Sequence, residues 1–161
     1  GKIYKIIDFG RAIYKYRGKI LCSDSYANDG DANSQYNCEP YFNPEKARIE
    51  PNYSFDLCRL ACSMFDFIFD NINNINKYRN STPVYDLICS WIYDDNNKNV
   101  LYKSNGNDKY PGFKLYKVIS KLVHNHIPEN QFSHICFKKY IIENTNNESI
   151  QDIDALIKNF N

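Results

Sequence analysis

No run of apolar residues in this chain approaches the roughly 20 needed to span a bilayer. No secretory signal precedes the cysteines, and no Cys-x-x-Cys pair occurs among them. Cys22, Cys38, Cys58, Cys62, Cys89 and Cys136 therefore read as reduced intracellular thiols, not a disulfide framework. Excess charge is missing too. Lys plus Arg is 20 and Asp plus Glu is 19, a net +1, which removes the electrostatic ground for nucleic acid or an anionic membrane as the main partner. The first residue is Gly1, inside a strand-like run and without an initiator methionine, so the chain is expected to be a piece of something longer.

The aromatic content argues for a packed domain. It reaches 16%, with 14 tyrosines and 10 phenylalanines, so the mean hydropathy of −0.61 does not indicate disorder. Asparagine supplies most of the polarity. Heavy use of Asn, Ile, Lys and Tyr is what an A/T-rich coding sequence produces. At 161 residues the chain suits one domain with a real core.

Residues 2–7 (KIYKII) read as a strand, with Ile3, Ile6 and Ile7 apolar. Arg11 to Pro44 has no sustained period and reads as one long irregular loop, a length uncommon unless functional or mobile. Order returns over residues 54–70, where Leu57, Leu60, Ala61, Met64, Phe65, Ile68 and Phe69 recur at helical spacing. Ser54 or Asp56 is expected to cap that helix. Because Cys58, Cys62 and Phe67 lie off the stripe, it is expected to be buried on several sides, with Cys58 and Cys62 as core packing and not a metal pair.

NINNINKYRNSTP reads as a break, and Pro83 as the start of a second helix, VYDLICSWIY. DDNNKNVLYKSNGNDKYPG reads as an exposed loop, and no internal repeat is visible. Phe113, Tyr116, Ile119, Leu122 and Val123 mark a further helix ending near His126-Ile127-Pro128, with His124 and His126 placed against its C-terminal dipole. Ile150, Ile153, Ile157 and Phe160 define a last amphipathic helix, capped by Ser149 and Asp152.

Four features then fall in order: the strand followed by Asp8-Phe9-Gly10, the long loop, Asn43-Pro44-Glu45 at its close, and Tyr53-Ser54-Phe55-Asp56 opening the buried helix. In this order the chain resembles the C-terminal lobe of the protein-kinase fold, in particular the divergent serine/threonine kinases of large nucleocytoplasmic DNA viruses. The resemblance covers residues 2–70 well and 84–140 loosely, and leaves the last helix unmatched. It implies a mainly α architecture: residues 1–140 a partial kinase C-terminal lobe, with strand 1–7, magnesium loop and activation segment 8–45, central helix 54–70 and later helices 84–140. Residues 141–161 would be a linker and amphipathic helix.

The resemblance also assigns roles. Asp8 would hold Mg²⁺ against the phosphates of ATP, Phe9 would pack inward, and Gly10 would permit the backbone flip of the loop. Pro44 and Glu45 would anchor the end of the activation segment, with Gln131 standing where the family supplies an arginine for that glutamate. Asp56 would accept hydrogen bonds from the catalytic loop. Ser23, Ser25, Tyr26, Ser34 and Tyr36 are candidate phosphosites, although simple solvation of a hydroxyl-rich loop is the reading preferred for them.

The sequence contains no Gly-rich phosphate loop, no strand lysine paired with a helix glutamate and no His-Arg-Asp loop, so no catalytic residue is present and the isolated chain is expected to be inactive. The implied partners are a protein substrate at the activation segment and a small lobe; nucleic acid and membrane are not expected. The implied setting is intracellular, in the cytoplasm of a host cell or in a virion. QYNCEPYFNPE lacks the family's Gly-Thr, which keeps a pseudokinase or scaffold as the alternative, with an unrelated helical interaction domain as a third reading.

Overall fold

A computed structural model describes residues 7–69 and 72–141. The expected strand at 2–7 and the expected C-terminal helix with its Ser149 and Asp152 cap lie outside the described residues, apart from Ile7, which is in no regular element. Within them the fold is mainly α-helical with one small sheet.

The first correction falls in the long loop. Ile13–Tyr16 (β1) and Lys19–Cys22 (β2) pair antiparallel, with Tyr16 opposite Lys19. Arg17 (φ 47°) and Gly18 (φ 79°) form the two-residue turn between them. Positive φ at both central positions matches the right-handed twist of the flanking strands. Ser23 then caps a short 3₁₀ turn over Asp24–Tyr26 by accepting the Ser25 N–H.

The central helix is Ser54–Ile68 (α1). Its cap is neither Ser54 nor Asp56. The Asn52 side chain accepts the Ser54 N–H at 3.0 Å, while Ser54 is fully buried and its hydroxyl accepts from the backbone of His126. Cys58, Ala61, Cys62 and Phe65 face the core. Burial on several sides is not what the helix shows, because Leu60 and Met64 are exposed and Phe67 is 93% exposed. The apolar residues are one more stripe than the fold covers.

NINNINKYRN is not a break. Ile72–Asn74 makes a 3₁₀ turn leading into a short helix, Ile75–Arg79 (α2), whose Ile75 is buried. Pro83–Trp91 (α3) starts at a proline, as the sequence suggests, and is capped by the Thr82 hydroxyl accepting the Tyr85 N–H. Lys114–Leu122 (α4) and the one-turn Pro128–Gln131 (α5) complete the α-helices among the described residues, and α4 ends four residues before His126. α1 packs on α3 and α4, and α2 packs on α3.

The core lies where these helices meet: Phe65 and Phe69 from α1 and its end, Leu87, Ile88, Cys89, Trp91 and Ile92 from α3 and its end, and Val100, Ile119 and Val123 beyond. Phe65 is 1% exposed and its ring lies 4.6 Å from that of Phe69 and 5.8 Å from that of Tyr102. Phe65→Ala is therefore expected to cost about 3 kcal/mol, the low end for emptying a buried aromatic site. Chemical denaturation checks this, as a lower midpoint at unchanged slope.

Residues 93–110 hold a repeat that the sequence conceals. Asp94 N–H donates to Lys98 O (2.9 Å) and Lys103 N–H to Asn107 O (2.8 Å). Asn97 N–H donates to Asp94 O, and Gly106 N–H to Lys103 O. Val100 N–H donates to Ile92 O, and Lys109 N–H to Leu101 O. Tyr93 bridges Asn99, and Tyr102 bridges Asp108. Every one of these pairs is displaced by nine residues, so Tyr93–Leu101 and Tyr102–Tyr110 are two tandem hairpin loops of the same design. Asn97 (φ 58°) and Gly106 (φ 83°) take the left-handed position in each, a conformation that Asn and Gly accept most readily.

Candidate functional site

Asp8 has φ 63° and is exposed, and its Oδ1 accepts the Gly10 N–H at 3.4 Å. Ala12 N–H closes the turn on Phe9 O at 2.9 Å. The acid is thus held at a tight bend with its carboxylate open to water. A side chain at Gly10 would sit 3.3 Å from that carboxylate, so glycine leaves the bend its room. Phe9 does not pack inward: it is 67% exposed.

Arg11 ties this bend to the rest of the molecule. Its guanidinium pairs with Asp31 and lies over the Phe113 ring at 5.9 Å, and its carbonyl accepts the Tyr26 hydroxyl at 3.0 Å. From there a chain of ring contacts runs Tyr26, Tyr36, Phe55, Tyr116, Phe113, with successive centroids 5.2–6.3 Å apart. The loop is docked on the start of α1 and on α4 through aromatic faces.

The candidate phosphosites are consequently not a solvated hydroxyl set. Ser23, Ser25, Tyr26, Ser34 and Tyr36 are all half-buried. The Ser23 and Ser25 hydroxyls bond to each other at 3.0 Å. Burial, and next the neighbouring Tyr36, push the Tyr26 phenol up to about 12, and burial raises that of Tyr36 as well. Gly30 closes the turn over Ser25 so tightly that an added Cβ would meet Ser25 O at 2.2 Å.

The closure at Asn43-Pro44-Glu45 depends on a residue the sequence did not single out. Asn37 is buried, and its Nδ2 donates to the carbonyls of Asn43 (3.0 Å), Lys46 (2.9 Å) and Ala47 (3.0 Å). Its Oδ1 accepts the Asn43 N–H at 2.8 Å, and its backbone exchanges two bonds with Ile49. One side chain thus clasps the whole turn. Glu45 is exposed and its carboxylate has no ion-pair partner among the described residues. Arg48 pairs instead with Glu50 (2.6 Å) and Glu39 (3.9 Å) and stacks on Phe42. Gln131 is engaged elsewhere, accepting the Trp91 indole N–H at 2.8 Å. Asp56 is exposed in the first turn of α1, where its charge suits the helix dipole.

His124 and His126 are tethers. Asp95 accepts the His124 backbone N–H at 2.7 Å and meets its Nδ1 at 2.6 Å, while its own N–H bonds the end of α4 at Leu122 O. His126 Nε2 meets Tyr93 O at 2.8 Å. Among the described residues no three His, Cys, Asp or Glu side chains group as a metal cage, and no helix is long and apolar enough to cross a membrane. No family model, curated protein or solved structure matches the chain.

Proposed function

We propose that the chain is the C-terminal-lobe portion of a protein-kinase-like phosphotransferase of the serine/threonine class, with Asp8 as a ligand for Mg²⁺ bound with ATP. The observation that carries this reading is the bend at Asp8. The carboxylate is exposed, forms no ion pair among the described residues and is presented next to a glycine, ahead of a packed segment that ends in the Asn37 clasp and leads into α1. One carboxylate fits Mg²⁺, a hard cation that keeps several waters and takes few protein ligands. The bound cation would neutralise charge on the transferring phosphate. Arg11 and the aromatic chain would hold the segment where a protein substrate could lie along it, opposite a small lobe.

Two observations favour the scaffold alternative, a pseudokinase that acts through protein interaction. Phe9 faces solvent and Glu45 has no ion-pair partner among the described residues, so two contacts expected of an assembled phosphotransferase are not made among them. The test is phosphate transfer from Mg-ATP to a protein acceptor by this chain joined to a small lobe and a His-Arg-Asp loop. Transfer supports the kinase reading; ATP binding without transfer supports the scaffold.

A further inference from the structure

The best-defined reactive group outside that site is on α1. Cys58 and Cys62 stand one turn apart on its inner face, where Cys58 is fully buried and Cys62 is 7% exposed. The Cys58 thiol and the Arg59 guanidinium both act on the Cys62 thiol. Arg59 is itself fixed, 4.4 Å over the Tyr116 ring and donating to the Tyr116 hydroxyl at 3.1 Å. Unlike its neighbour, Cys62 lines a cavity of about 310 Å³ that opens to solvent. Arg59, Asp66, Tyr102 and Asp108 also line that space, with the Tyr102 hydroxyl bonded to Asp66.

We propose that Cys62 is a site of reversible S-thiolation, taking one half of a small zwitterionic disulfide of the glutathione type that enters this cavity. The charges lining the space suit such a molecule: Arg59 for a carboxylate, Asp66 and Asp108 for an ammonium group. Cys62 first releases its proton to solvent, and the thiolate attacks one sulfur of the disulfide. The new sulfur–sulfur bond forms as the old one breaks, and the second half leaves as a thiolate that takes up a proton. Cys62 is oxidised and the leaving half is reduced, so no further oxidant is needed.

The surrounding groups favour the thiolate. The hydrogen bond from Cys58, and then the charge of Arg59, lower the Cys62 pKa against the opposing effect of burial. Burial pushes Cys22, Cys38 and Cys89 up, and the bond to Cys62 does the same to Cys58. Cys58 does not resolve the adduct. Residues four apart on a helix hold their Cβ atoms about 5–6 Å apart, beyond the roughly 3.5–4.5 Å a disulfide requires. The mixed disulfide therefore persists until an external thiol removes it.

The folded chain is incubated with oxidised glutathione at neutral pH, and adducts are mapped by mass spectrometry. The first adduct is expected on Cys62, ahead of the more exposed Cys22 and Cys136. Arg59→Gln slows it about tenfold, because the thiolate loses its neighbouring cation, with Cys22 and Cys136 as internal controls at unchanged rates. Cys62→Ser removes it. Adducts on Cys22 or Cys136 while Cys62 stays free overturn the proposal. A Cys58–Cys62 disulfide, an unchanged rate in Arg59→Gln, or labelling of Cys62 only in urea does so equally.

Discussion

Asn37→Leu is expected to lower the stability of the chain by about 3 kcal/mol, because it removes the hydrogen bonds of two amide N–H groups, shared among three carbonyls, and of one amide oxygen, worth about 1 kcal/mol each. Leucine keeps the same branching and number of side-chain heavy atoms, so the loss comes chiefly from the carbonyls of Asn43, Lys46 and Ala47 and from the Asn43 N–H, all of which the amide satisfies. Asn37→Asp is expected to be no better. It keeps the shape but sets a carboxylate against three carbonyl oxygens. Asn33, exposed and making one side-chain bond to Asn28 O, is the control: Asn33→Ala should cost within about 0.5 kcal/mol, as surface changes do. Urea denaturation gives the difference. Hydrogen exchange at Ile49, whose N–H bonds Asn37 O, reports whether the turn opens locally before the domain unfolds. A loss below about 1 kcal/mol for Asn37→Leu would show that the turn holds by other means.

The contrast between Asn37 and Asn33 explains what the sequence could and could not convey. Both are asparagines in an asparagine-rich loop, and no local feature separates the one that clasps three carbonyls from the one at the surface. The helices α1, α3 and α4 were legible because each buries a stripe that recurs at three and four residues, a signal carried by many positions at once. The hairpin was not. In β1 only Ile13 is even half-buried, so no alternation of apolar and polar residues marks it, and the Arg17-Gly18 turn was its one sign. The tandem loops at 93–110 share Tyr and Asn at matching positions and little else, since backbone bonds fix their shape. At the candidate site the bend at Asp8 was legible from three residues. The outward Phe9 and a Glu45 without an ion-pair partner among the described residues were not, because each depends on what lies opposite in space.

On the proposed reading, Asp8→Asn is the substitution with the largest effect on activity. In a phosphotransferase containing this chain, it is expected to lower phosphate transfer on the order of a thousandfold, about 4 kcal/mol of transition-state stabilisation. The amide keeps the size of the side chain and loses the anionic oxygen that a hard cation selects. The fold should not register the change. Asp8 is exposed, its one hydrogen bond among the described residues is the long contact to Gly10, and asparagine tolerates a φ of 63° as aspartate does. Thermal unfolding should therefore shift by no more than a surface substitution does, within about 0.5 kcal/mol. Asp8→Ala is a poorer test, because a left-handed alanine adds about 1 kcal/mol of backbone strain to the loss of the ligand. Raising Mg²⁺ should recover part of the Asp8→Asn activity if the loss lies in holding the cation. Full activity in Asp8→Asn would remove the metal-ligand role from Asp8.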